Sequence, residues 1–392
     1  MEVEKKIIYI TYDGILEPLG QSQVLKYIIN SSFTYNIILL SFEKKSNLKN
    51  INYVNNLLKK SNVKWIYYTK SSNFWFLSKI LDLFKIFLFG YNNLKFSKIK
   101  IFHCRSYLTA YAISFLKFFF NFKLIFDMRG FWVDERYEWG IWKKNYFFYK
   151  VLKKIEKRLF KKSDTIIVLA NDARNELIKN FNISSKIIYT IPTCADEKQF
   201  NISNMRYWKN ELNICHLGSI TTRYDLDKTL KFYKKINNIV NSKILFINKD
   251  EHNFIQNKCI EHKIDTSKFE IKSTEHFDVQ KIIQKFDFII FFPKDGFYKK
   301  GFFPTKIAES LLSGVPIITS DVNLEINDKI ISNKLGILVK EIDKINIIEF
   351  LKLKDQFREN LYKKKIRNYA KKYLSITYGV KIYDEIYKMF LK

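Results

Sequence analysis

Short apolar runs alternate with helix-spaced apolar patterns along the whole chain, and this alternation constrains the fold more than any other feature. Runs stand at residues 7–11 (IIYIT), 36–42, 63–68, 99–103, 123–127, 165–169 and 186–191, with helical spacing between most of them. Buried strands joined by helices of 10–15 residues predict a parallel α/β sheet covered on both faces, because parallel neighbours need a crossover connection. The series then begins again at 213–217, followed by Gly218-Ser219, and continues at 243–248, 269–272, 286–292, 315–319 and 335–340. The polar stretch 197–211 separates the two series. The expected organisation is therefore α/β with two Rossmann-like domains, 1–197 and 198–375, and a C-terminal helix over 376–392.

Composition narrows the class further. At 392 residues, 47 % hydrophobic and 27 % charged, the chain can bury real cores, which excludes a disordered or disulfide-framework protein. Cys104, Cys194, Cys215 and Cys259 are scattered without a CxxC, so neither zinc nor disulfides are expected, and a reducing cytosol fits. Residues 1–6 do not read as a signal peptide, and no charge-free apolar stretch of about 18 residues predicts a spanning helix. Lys and Arg total 68 against 39 Asp and Glu, a net charge of +29, yet only nine of the cations are Arg. Lys, Asn, Ile, Phe and Tyr are abundant together, so part of the surplus is attributable to AT-rich coding. The rest is local: residues 51–165 hold 23 Lys and Arg against 7 Asp and Glu, and residues 1–50 hold 6 against 5. In this basic window the lysines interleave with Trp75, Phe76, Phe84, Phe87 and Phe89 and recur over 74–98 and 141–162. That pattern predicts a face resting on an anionic membrane surface, or else a buried aromatic stripe with a solvated basic back.

In open α/β sheets ligands bind beyond the carboxyl ends of strands, and four places of that kind carry chemistry. Gly14 and Gly20 bracket the first loop, where glycine lets backbone N–H groups approach an anion. The alternative is a pair of turn glycines. His103, after the fourth run, is a candidate catalytic residue or a structural histidine. Arg129 and Glu135, in the segment DMRGFWVDER, could orient sugar hydroxyls or assist proton transfer, or form an ion-pair network. The fourth place is PTKIAESLLSGVP, whose Pro304 and Gly314 bracket a helix. Lys306 in its first turn opposes the helix dipole, a fault that a bound phosphate would reverse. Thr305 and Lys306 are thus expected at a diphosphate, with Lys294, Lys299 and Lys300 in the preceding loop. Glu309, one turn on, is expected to accept two ribose hydroxyls. A solvated Lys306–Glu309 pair is the plain alternative.

The segments IIYITYDGILEPLGQSQVLKYI, HCRS, FDMRGFWVDER, IPTCAD, HLGSITTRYDLD and PTKIAESLLSGVPIIT resemble the retaining glycosyltransferases of family 4, which have the GT-B fold. The resemblance implies two domains facing across a cleft, the N-terminal one binding an acceptor and the C-terminal one a nucleotide-sugar. It also implies that the last helix crosses back onto the first domain and that no metal or other cofactor is needed. Glu309 matches the second glutamate of the family's paired motif, and Gly301 stands where the first would fall. Ser219 and Tyr224 occupy the places of the family's diphosphate-gripping Arg and Lys, leaving Arg223 and Lys306 as substitutes. His103 matches a histidine that contacts the donor sugar.

The function so implied is transfer of a sugar, with retained anomeric configuration, to a glycan or lipid-linked acceptor in cell-surface polysaccharide synthesis on the cytoplasmic face of a bacterial membrane. The alternatives are a nucleotide-sugar epimerase of the same fold and, on charge alone, a nucleic-acid-binding protein. The second lacks any recognised motif, so nucleic acid is not expected as a partner.

Overall fold

The two series of apolar runs form two separate, all-parallel sheets. The structure is a computed structural model that describes residues 5–70, 75–97, 99–140, 146–274, 276–344 and 346–391. The chain divides into two compact units, Met1–Pro192 together with Ile376–Lys392, and Thr193–Ser375.

Among the described residues the first unit holds seven strands in the order β3-β2-β1-β4-β5-β6-β7. They are β1 (Lys6–Thr11), β2 (Asn36–Glu43), β3 (Val63–Thr69), β4 (Ile101–Arg105), β5 (Lys123–Asp127), β6 (Thr165–Val168) and β7 (Ile188–Thr190). Helices cover both faces, so β1 and β4 are buried without a break rather than on alternate residues. Register pairs Thr11 with Arg105 and Arg105 with Asp127, which lines up the last residues of β1, β4 and β5 in one row. The helix Ile376–Leu391 belongs to this unit and buries Tyr383, Ile386 and Tyr387.

Among the described residues the second unit has six strands in the order β10-β9-β8-β11-β12-β13. They are β8 (Leu212–Leu217), β9 (Ser242–Ile247), β10 (Phe269–Lys272), β11 (Phe288–Phe291), β12 (Ile317–Thr319) and β13 (Gly336–Leu338). Both sheets therefore place the first strand of their series between the second and the fourth. The strand order reverses there, opening a crevice beyond the carboxyl ends of β1 and β4 in one unit and of β8 and β11 in the other. Among the described residues no helix is long and apolar enough to cross a membrane.

The basic, aromatic window of the first unit has mixed exposure. On the helix Trp75–Ser97, Ile80, Leu81, Phe84 and Leu88 form an outward stripe, while Ile86 and Phe89 are buried. Phe89 thus belongs to the core and not to the outer face that the sequence pattern suggests. Phe87 is half-buried. Phe74, Lys98 and residues 141–145 lie outside the described residues. Phe118, Phe119 and Phe147 are more than 70 % exposed, and the Lys162 ammonium lies 3.7 Å from the centre of the Phe118 ring.

Candidate functional site

The glycine loop after β1 does not wait for an anion; it holds one of its own. The Glu43 carboxylate, ending β2 and fully buried, accepts hydrogen bonds from Ile15 N at 2.8 Å, Leu16 N at 3.1 Å and the Ser41 hydroxyl at 2.6 Å. Gly14 is required because a Cβ there would stand 2.5 Å from Glu43 Oε2, and Gly20 because its Cβ would meet the Gly14 carbonyl at 2.0 Å. Both glycines serve close packing of the chain on itself, as the turn-glycine alternative has it, and the Ile15 and Leu16 N–H groups beside Gly14 are taken by Glu43. Burial pushes the Glu43 carboxyl above its ordinary value, against the pull of those hydrogen bonds.

Beside it, the row formed by Thr11, Arg105 and Asp127 carries a buried charge cluster. Asp127 accepts from Arg105 and from Arg129, each at 3.4 Å, and from the Tyr383 hydroxyl of the final helix at 3.3 Å. Arg105 also reaches Asp13 at 3.5 Å and the Gln23 carbonyl at 3.3 Å. Burial alone would raise the Asp127 carboxyl, but the Arg129 and Arg105 guanidiniums hold it below the ordinary carboxylate range.

His103 and Arg129 are both brought to Asp127, in different ways. Arg129 is half-buried and keeps a route to solvent. His103 is fully buried: Nδ1 lies 2.7 Å from the Tyr387 hydroxyl, Nε2 stands 4.0 Å from Asp127, and the Tyr9 and Tyr383 rings pack at 4.4 and 4.7 Å. Burial lowers its pKa to about 3, so the ring is neutral. The catalytic expectation for His103 needs a ring that substrate can reach, whereas this one is sealed between β1 and the final helix. Glu135 is buried on the helix Trp132–Glu138 beside Asp134, which is bonded to Lys153 at 2.8 Å and to Tyr149 at 2.7 Å. This neighbourhood has the character of the ion-pair alternative.

In the second unit the expected donor residues converge at the carboxyl end of β8. The helix Thr305–Leu312 is buried at every residue after Thr305, and its N-cap Pro304 offers no side-chain cap. Lys306 is consequently turned inward. It is 6 % exposed, donates to the Leu217 carbonyl, and lies 3.8 Å from the centre of the Tyr224 ring. This departs from a solvated first-turn cation, because the buried helix leaves the side chain no outward course. The contact also explains Tyr224 as a partner for Lys306: an aromatic face receives the ammonium. Burial lowers Lys306 to about 7 and raises Glu309, 9 % exposed, to about 7. The solvated-pair alternative is excluded by the same burial.

The loop 218–224 runs over this group. Ser219 is exposed, and Arg223 is half-buried with its guanidinium 5.5 Å from the centre of the Phe302 ring. Lys294 donates to the Thr221 carbonyl at 2.5 Å, while Lys299 is bound to Asp295 at 2.7 Å and to Asp321 at 3.4 Å. Two residues here escape sequence reasoning. His216, at the end of β8, is buried with Nδ1 lacking a hydrogen-bond partner. Glu251 accepts from Ile220 N at 2.7 Å, from Thr221 N at 3.0 Å and from the Thr221 hydroxyl. Among the described residues no group of three or more His, Cys, Asp or Glu converges as metal ligands.

Residues 40–199 match the sequence profile of Glycosyltransferase Family 4. No curated protein matches this sequence. Among solved structures, a sucrose-phosphate synthase from Thermosynechococcus elongatus aligns at TM-score 0.72 and 13 % identity, over 98 % of each chain. HepE of Anabaena, in complex with UDP, aligns at TM-score 0.69 and 10 % identity, over 97 % of this chain and 99 % of that one. The lipopolysaccharide outer core galactosyltransferase WaaB aligns at 0.65 and 14 % identity, over 98 % and 99 %. At these identities the likeness shows the GT-B fold, and together with the profile over residues 40–199 it supports a glycosyltransferase.

Proposed function

We propose that this chain is a retaining, metal-independent glycosyltransferase of family 4 that moves a sugar from a nucleotide-diphosphate-sugar to a glycan or lipid-linked acceptor in bacterial cell-surface polysaccharide synthesis. One observation carries the reading: at the carboxyl end of β8, the buried Lys306 ammonium, the uncapped helix start at Thr305 and the Glu309 carboxyl share one helix. Such a helix start attracts phosphate through its free N–H groups, and a charged Lys306 would add to that attraction. Glu309, one turn on, accepts hydroxyl hydrogen bonds once ionised, as a ribose requires. The UDP held by HepE and the acceptor implied by WaaB's name support the same classes of donor and acceptor here.

Departure of the nucleoside diphosphate builds negative charge on its leaving oxygen. Lys306 and the N–H groups of Thr305 and Lys306 are set to stabilise that charge without reorganising. With the acceptor attacking on the face the leaving group vacates, the departing phosphate oxygen takes the acceptor's proton and the anomeric configuration is retained. Arg129, held at one end by Asp127, is the cation we assign to the acceptor in the first unit. A panel of UDP-, ADP-, GDP- and dTDP-sugars, read by thermal shift and by mass spectrometry of released nucleotide, tests the reading. At 100 times its dissociation constant, the true donor's nucleotide stabilises by about 2.7 kcal/mol. A chain that none of the panel stabilises is not a nucleotide-sugar enzyme.

The outer stripe Ile80–Leu81–Phe84–Leu88 and the exposed Phe118, Phe119 and Phe147, set among lysines, further suit a peripheral position on the inner leaflet. Vesicles containing anionic lipid are expected to sediment the protein at low salt and release it at high salt, since screening shortens the reach of the lysines. Leu81→Asp and Phe84→Asp together are expected to abolish sedimentation with Tm unchanged. Protein that stays in the supernatant at low salt points instead to a soluble acceptor.

A further inference from the structure

The loop that follows β8 already binds an anion, and that anion is part of the chain. Glu251 lies four residues beyond the end of β9, where its carboxylate gathers Ile220 N, Thr221 N and the Thr221 hydroxyl, with Asn248 Nδ2 at 2.6 Å. The first unit repeats the arrangement. There Glu43 ends β2, the strand that neighbours β1 as β9 neighbours β8, and it gathers Ile15 N and Leu16 N of the loop after β1.

The two carboxylates differ in access. Glu43 has no exposed surface, and a third donor, Ser41, seals it. Glu251 is half-exposed, and Thr221, which supplies two of its donors, is exposed. A carboxylate on the surface of a loop can swing into water, whereas one inside the sheet edge cannot. Displacing Glu251 would leave two backbone N–H groups converging on a vacated anion position, beside the end of β8 whose last carbonyl receives Lys306.

We infer that Glu251 is a displaceable stand-in for the donor's diphosphate: it occupies the Ile220 and Thr221 N–H groups in the unliganded chain and is expelled when the nucleotide arrives, so that it sets donor affinity. The inference rests on the reading of the second unit as the nucleotide site. A carboxylate and a diphosphate oxygen cannot both ionise within hydrogen-bond distance of the same two donors without strong repulsion. One must leave, and the side chain with a path to solvent is the one that moves.

Glu251→Gln tests this, because the amide oxygen still accepts from the loop while the charge is gone. Binding of inorganic pyrophosphate and of UDP is measured by calorimetry on the full chain, with Tm confirming an intact fold. Glu251→Gln is expected to bind pyrophosphate at least fivefold more tightly than the unsubstituted chain at low salt, the ratio falling toward one at high salt. Equal or weaker pyrophosphate binding by Glu251→Gln overturns the inference and leaves Glu251 as a brace for its loop. So does a gain that salt leaves unchanged, since it would not come from charge. UDP separates the two claims: tighter pyrophosphate binding, with no nucleotide of the donor panel bound by either form, keeps the stand-in and overturns the nucleotide-sugar reading.

Discussion

Asp127→Ala is expected to destabilise the first unit by about 3–5 kcal/mol, the loss typical when one partner of a buried ion pair is removed. The reason is what remains. Arg105 is 3 % exposed and keeps its charge, so without Asp127 it is left with the half-exposed Asp13 at 3.5 Å and the Gln23 carbonyl. Tyr383 loses its acceptor in the same step. For a unit of this size each kcal/mol moves Tm by about 2–4 °C, which places the expected drop near 10 °C. A Tm within about 2 °C of the unsubstituted chain would show that the cluster carries no net stability.

Acid acts on the same cluster with a definite sign. Asp127 is held below the ordinary carboxylate range, so its contribution is complete above that range and is lost as pH falls through the depressed value. His103 is buried neutral with a pKa of about 3, against about 6.5 when unfolded. Between those values the unfolded chain binds the extra proton, so stability falls as pH drops from 6.5 toward 3. Both groups therefore weaken the first unit on acidification, against the opposite pull of Glu43 and Glu156, whose carboxyls burial raises, Glu156 to about 7, so their share is read as the difference in Tm against pH between the unsubstituted chain and Asp127→Asn. Asp127→Asn is expected to flatten the lower end of that curve.

What could be read from sequence follows from how local each cause is. Strands buried on both faces are largely apolar, so the runs at 7–11 and 213–217 announce β1 and β8 unaided. The helix Thr305–Leu312 was legible through its terminal residues. Pro304 sits at its N-cap, and Gly314 takes a φ of 71° just past its end. Partners set by tertiary register were not legible. Glu43 finds Ile15 from 28 residues away, Glu251 finds Ile220 from 31, and Tyr387 finds His103 from 284. No local pattern marks those carboxylates as anions for a loop, because their role depends on which strand lies beside which. The inward course of Lys306 was hidden for a similar reason: its helix is covered on nearly every side, and spacing within eight residues does not reveal that.

Lys306 provides the other large effect, in binding rather than folding. A lysine with a pKa lowered to about 7 by burial is mostly neutral at pH 8, yet a diphosphate beside it demands the ammonium. Nucleotide binding at pH 8 is therefore expected to take up close to one proton, read by calorimetry in buffers of different ionisation enthalpy. Affinity is expected to fall by up to about tenfold per pH unit above 7. Glu309, raised to about 7, is already ionised at pH 8 and adds nothing to that uptake. Lys306→Met is expected to abolish the uptake and weaken binding by about ten- to a hundredfold, the worth of a hydrogen bond to a charged group. Its stability moves the other way. A buried amine with a single carbonyl acceptor is a burden on the unliganded fold, and an apolar side chain of similar length beside Tyr224 and Phe291 relieves it. A variant that melts no lower than the unsubstituted chain but has lost its nucleotide would identify Lys306 as a residue retained for the ligand. If Lys306→Met instead melts lower and binds nucleotide normally, the lysine belongs to the core, and the diphosphate must be held elsewhere on the carboxyl edge of the sheet.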